Sequence, residues 1–164
     1  MQNGKWANSG VPKAGWEFAG MVDLGDPSAI CEMCEVQEIR YVHYMDHWDY
    51  PDTLRCGVIC AGRMGGDAAA ARARDDEMRR QATRAARKGK WLGRNWRESA
   101  AGNAFLNTGG FNVVVYERGY DVWGFRVLNR TTDDRIVARK LYASQEAAML
   151  RAFDALERMK DKGR

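Results

Sequence analysis

The sequence predicts an α+β chain: a small cysteine-paired head, a central amphipathic helix, and a C-terminal three-stranded antiparallel sheet packed with a helix. Three observations predict it. Four cysteines fall as two close pairs, Cys31/Cys34 and Cys56/Cys60. An Ala- and Arg-rich run follows Gly65-Gly66. Beyond Gly109-Gly110, three β-branched and aromatic runs alternate with short polar turns and give way to a 3.6-residue apolar period. The expected segments are the head over 1–64, a basic helix and connector over 65–102, and a βββα domain over 103–164.

Residues 1–14, rich in Gly, Asn, Ser and Pro, read as a loose arm. Trp16 to Val22 alternates as a strand, and Leu24-Gly25-Asp26-Pro27 turns it. Between the cysteine pairs, Ile39 to Met45 is β-branched and aromatic, so it is a strand, broken by His47-Trp48-Asp49-Tyr50-Pro51. Gly65-Gly66 closes the head, and Asp67 can cap a helix from about Asp67 to Lys88 that Gly89 stops. On its wheel, Met64, Ala68, Ala71, Met78, Ala82 and Ala85 make a thin apolar side, opposite Arg72, Arg79, Arg80, Arg84 and Arg87. Trp91 to Trp96 reads as a connector, and Asn103 to Thr108 as the lead-in to the Gly109-Gly110 turn. The strands are then Phe111–Glu117, Val122–Asn129 and Arg135–Leu141, joined by loops short enough for an antiparallel meander. Ser144 opens the last helix, to Lys160, with Ala147, Ala148, Leu150, Phe153, Leu156 and Met159 on its apolar side.

With 164 residues and 45% apolar composition, one domain or two small ones can form a real core. No apolar run reaches the ~18 residues that cross a bilayer, and the N-terminus lacks the apolar stretch of a signal peptide. A cytoplasmic protein without a membrane partner is the expectation. There thiols stay reduced, so paired cysteines read as metal ligands before they read as disulfides. Charge is unevenly spread along the chain: residues 1–61 carry net −5, residues 62–105 net +6 and residues 106–164 net +3. That asymmetry points the middle and tail, not the head, to a polyanion.

The cysteine spacing is Cys31-x2-Cys34, a 21-residue interval, then Cys56-x3-Cys60. Zinc favours four ligands in a tetrahedron, thiolates suit it, and a two-residue gap lets one turn aim both sulfurs at a point. Gly57 permits the bend beside Cys56. The expected ligands are therefore Cys31, Cys34, Cys56 and Cys60 on one structural zinc ion, with His43 in reserve and His47 making ordinary hydrogen bonds. The alternatives are four buried free thiols or a redox pair, and Cys31-x-x-Cys34 lacks the βαβ setting of the latter. A strand and turn between two pairs is the layout of a zinc ribbon or of a treble-clef-like knuckle. Glu32, Glu35 and Glu38 read as solvated, and no triad or phosphate-loop pattern is present, since Gly62 to Gly66 lacks the Lys-Ser/Thr ending. A protein without catalysis is expected, with a three-ligand zinc enzyme as the remote alternative.

Cys31-Glu32-Met33-Cys34, Ile39-Arg40-Tyr41-Val42-His43 and Leu54-Arg55-Cys56-Gly57-Val58-Ile59-Cys60-Ala61 resemble a zinc-ribbon pattern of small, largely uncharacterised bacterial and phage proteins. In that pattern Gly57 and Cys60 match the closing element, while Cys56 stands where an aliphatic residue is expected and Val58 where a second cysteine can occur. The resemblance implies zinc, not an activity. The C-terminal block, with Trp123-Gly124-Phe125-Arg126-Val127 and Tyr142 to Ala148, resembles in architecture the three-stranded sheet and helix of phage-integrase arm-binding and plant ethylene-response DNA-binding domains. Those domains lay the sheet in the major groove, which implies DNA before RNA.

The residues expected to contact nucleic acid are Arg72, Arg79, Arg80, Arg84 and Arg87 on the helix and Arg126, Arg139 and Lys140 in the C-terminal block. Arginine's fork suits phosphates and base edges. Trp91, Trp96, Tyr116, Tyr120 and Trp123 lie between the basic clusters and are either stacking groups or core. The competing expectation is an accessory factor of a phage or mobile element that docks on a host protein or nucleoprotein complex. For it, Trp48 and Tyr50 are the candidate contacts.

Overall fold

The computed structural model describes residues 3–164 and divides the chain into two compact units, 1–83 and 84–164. Met1 and Gln2, part of the arm expected over 1–14, lie outside the described residues.

In the first unit, β1 (Glu17–Asp23), β4 (Tyr41–Asp46) and β5 (Leu54–Cys56) form an antiparallel sheet in the order β1-β4-β5. Two short strands, β2 (Ala29–Ile30) and β3 (Glu38–Ile39), pair antiparallel and hold the first cysteine pair in the turn between them. Directly after β5 comes α1 (Val58–Gly65), which buries Cys60, Ala61, Gly62 and Met64. This helix was not foreseen. It makes the second arm of the cysteine group a helix, not a second knuckle as in a ribbon. The arm expected to be loose is docked instead. A 3-10 turn at Gly4–Ala7 places Trp6 in the core at 5% exposure, beside Val11 and Trp16. Burial of an indole outweighs the flexible composition around it.

The helix α2 (Ala68–Trp91) starts where expected: Asp67 caps it, its Oδ1 accepting from the Ala70 N–H at 2.9 Å. It does not stop at Gly89. Trp91 lies in the second core and its Nε1 donates to the Met149 carbonyl at 2.7 Å, which offsets the ~1 kcal/mol a helical glycine costs. The boundary between the units falls inside this helix.

The second unit is a five-stranded antiparallel sheet, not the three-stranded one expected. Its strands are β6 (Arg97–Glu98), β7 (Ala104–Thr108), β8 (Phe111–Gly119), β9 (Val122–Asn129) and β10 (Arg135–Val137), in the order β10-β9-β8-β7-β6. Of the additional strands, β7 follows from the turn chemistry. Thr108 pairs with Phe111, and the two residues between them, Gly109 and Gly110, have φ of 53° and 83°. Positive φ at both central positions makes a tight hairpin whose twist matches its strands, so Ala104–Thr108 is a strand and not a lead-in. The helix α3 (Gln145–Lys162) is capped by Ser144, whose side chain accepts from the Ala147 N–H. Ala148, Ala152, Phe153 and Leu156 pack on Leu106, Val113, Val115, Phe125 and Val127, one face of the sheet.

Candidate metal centre and sheet face

The knuckle turn brings Cys31 and Cys34 together, and the first turn of α1 delivers Cys60 to them. The three sulfurs all lie within 4.8 Å of one another, so this group can hold a metal ion. Cys31 is fully buried, Cys60 is 5% exposed and Cys34 is half-buried. Surrounding contacts fix the turn. The Glu35 N–H donates to the Cys31 carbonyl at 2.8 Å, and the Cys31 N–H donates to Gln37 O at 2.8 Å. The docked N-terminal turn closes over them: Lys5 N–H donates to Met33 O at 2.8 Å, and the Lys5 ammonium pairs with Glu35 at 2.8 Å. A Cβ on Gly4, whose φ is +62°, would lie 2.7 Å from the Cys34 carbonyl atoms, so only glycine permits this approach.

The sulfurs also receive N–H donors. Trp6 Nε1 donates to Cys60 Sγ at 3.3 Å, and the Gly57 N–H points at Cys31 Sγ at 3.5 Å. Thiol hydrogen bonds from Cys56 and then Cys60 hold Cys31 far below the ordinary thiol range. Donating to Cys31, together with burial, pushes Cys56 and Cys60 well above it.

Cys56 differs from the other three. It ends β5, is fully buried, and its Sγ donates to Met64 Sδ at 3.6 Å. It borders the three-sulfur group without being one of its members. His43, the reserve ligand, faces elsewhere. Its Nε2 meets Asp75 at 3.2 Å, and burial holds its pKa below the usual value against that carboxylate. The Asp75 carboxylate is also gripped by Arg79 at 2.7 Å. His47 accepts from the Asp49 N–H and meets the Ala14 carbonyl, as ordinary hydrogen bonding requires.

The arginines expected on the nucleic-acid face of α2 are largely engaged by carboxylates. Arg79 pairs with Asp75 and Arg80 with Glu77, each at 2.7 Å. Arg87 reaches Glu157 at 2.7 Å, and Arg84 reaches Asp161 at 3.1 Å and Glu157 at 3.7 Å. Arg72 is exposed, and Arg139 and Lys140 are exposed after β10. Periodicity put these side chains on the outside of the helix but could not show which acids from distant segments meet them.

The sheet of the second unit offers a different surface, which sequence reasoning missed. Its other face, away from α3, carries a row across all five strands by register: Arg97, Phe105, Val114, Arg126 and Val137. The Arg97 guanidinium lies over the Phe105 ring at 5.5 Å. Arg126 Nε is buried with no partner among the described residues. The adjacent positions on this face include Asn112, Leu128 and Tyr116. Among the described residues, no Asp or Glu occupies a position on this face of the five strands, since Glu98 and Glu117 pair with Ala104 and Trp123 on the helix side. Of the interleaved aromatics, Trp91, Trp96 and Trp123 belong to the core, Tyr116 lies on the open face, and Tyr120 is exposed in a turn.

No family model, no curated protein and no solved structure matches the chain. Function is therefore read from the chain's own geometry. No helix among the described residues is long and apolar enough to cross a membrane.

Proposed function

We propose that this is a small zinc-containing accessory protein, without catalysis of its own, that binds nucleic acid through the open face of the second sheet. The observation that carries the binding reading is that face: arginines at two of the five positions of its cross-strand row and no carboxylate beside them. The charged strand residues of that face are arginines, and an arginine fork matches phosphate geometry. The α2 arginines that pair with carboxylates, Arg79, Arg80, Arg84 and Arg87, contribute less than their number suggests.

Zinc is the ion the donor set fits. Thiolates are its preferred soft ligands, and Cys31, Cys34 and Cys60 would hold it, with the buried thiol of Cys56 as the candidate fourth ligand. The group sits in the core with Trp6, Met33 and Met64, the setting of an ion that stabilises a fold. A second reading, docking on a host protein or nucleoprotein complex, is favoured by one observation: Trp48 is 89% exposed on the acidic unit.

The test is fluorescence anisotropy with labelled oligonucleotides. The full chain should bind at about 50 mM salt and weaken steeply as salt rises, and Arg126→Ala should both weaken binding and flatten the salt slope by about 0.7–0.9. Absence of binding to any oligonucleotide at low salt would sink this reading.

A further inference from the structure

We infer that the open face of the second sheet takes single-stranded nucleic acid, stacking an unpaired base on Tyr116; this rests on the nucleic-acid reading above and names the form of the ligand. Tyr116 on β8 stands directly opposite Gly124 on β9. A Cβ placed on Gly124 would lie 2.9, 3.2 and 3.3 Å from Cε2, Cζ and Oη of the Tyr116 ring. Two ring atoms and the hydroxyl oxygen thus lie where a side chain on β9 would stand, so the ring is folded down across the neighbouring strand and does not project from the sheet. Gly124 is buried although it is on the face away from α3, and the tyrosine ring is what covers it. The hydroxyl end extends toward the Phe125 carbonyl at 3.5 Å.

A ring laid on a sheet turns one π-face to solvent. Every base has a matching face, but only an unpaired base can offer it, because in a duplex those faces are stacked on one another. A sheet that reads a duplex groove does so with side chains that project from it to the base edges. This face offers the reverse: a ring lying down and half-buried Val114 and Leu128, with Arg126 beside them for the backbone phosphates.

The experiment compares a labelled oligo-dT of about 20 nucleotides with a mixed-sequence duplex of equal length, by anisotropy on the full chain, for the parent, Tyr116→Phe and Tyr116→Leu. Leucine still covers Gly124 but has no π-face, and thermal melts of each variant check folding. The expected result is single-strand affinity at least tenfold above duplex affinity, retained by Tyr116→Phe and reduced about tenfold by Tyr116→Leu, within the range for one stacked base. Duplex binding as tight as single-strand binding, or a Tyr116→Leu protein that binds oligo-dT like the parent, overturns this inference and leaves the nucleic-acid reading standing. Binding of neither oligonucleotide overturns both.

Discussion

Replacing Glu157 with alanine removes the acid that ties the end of α2 to α3. Its side chain is 7% exposed and meets Arg87 at 2.7 Å, Lys160 at 3.4 Å and Arg84 at 3.7 Å. Breaking a fully buried ion pair by removing one partner costs about 3–5 kcal/mol, because a charge is left stranded. An exposed pair is worth at most about 1 kcal/mol. Here the acid is buried, but Arg84 and Arg87 are 43% and 50% exposed and can rehydrate, and Arg84 keeps Asp161. The expected loss lies between these limits, at about 2 kcal/mol. For a chain of this size that lowers Tm by about 4–8 °C. Circular dichroism melts of the parent, Glu157→Ala and Glu157→Gln should show the full drop for alanine and a smaller one for glutamine, which keeps shape and hydrogen bonding. A Glu157→Ala protein melting within about 1 °C of the parent would refute the claim that this acid organises the α2–α3 contact.

Two substitutions probe the cover over the cysteines. Gly4→Ala places a Cβ 2.7 Å from the Cys34 carbonyl atoms at a φ of +62°, so it should cost about 1–3 kcal/mol and speed zinc loss to a colorimetric chelator. Trp6→Phe keeps most of the packing but removes the N–H donated to Cys60 at 3.3 Å. It should cost about 1 kcal/mol in urea unfolding, and chelation as slow as in the parent would show that the bond does not support the site.

Local patterns were legible in the sequence; contacts set by distant segments were not. The two long helices, both with capping residues, and β8, β9 and the start of β10 follow from period and turn residues alone. Of the two additional strands, β7 was signalled by Gly109-Gly110, whose hairpin geometry implies a strand on each side, and the two-residue β6 carried no such signal. The helix α1 was hidden because Val58-Ile59-Cys60-Ala61 is too short to display a period and its role is fixed by burial of Cys60 and Met64. Cysteine spacing identified the residues that gather, but only the fold shows Cys31, Cys34 and Cys60 in one group and Cys56 at its border. The arginines of α2 were visible as a stripe, with Asp75 and Glu77 at helical spacing from Arg79 and Arg80, whereas the partners of Arg84 and Arg87, Glu157 and Asp161, lie some 70 or more residues away. The Tyr116–Gly124 pairing depends on strand register and has no counterpart in linear spacing.

The most direct test of the central claim is elemental analysis of zinc on reduced protein purified without a metal-binding tag, with melting curves on the same sample before and after chelation. About one zinc per chain, a marked fall in Tm on chelation, and loss of the metal in Cys31→Ser and Cys60→Ser are expected. Freshly prepared, reduced protein that carries no metal and melts unchanged with chelator would contradict the claim.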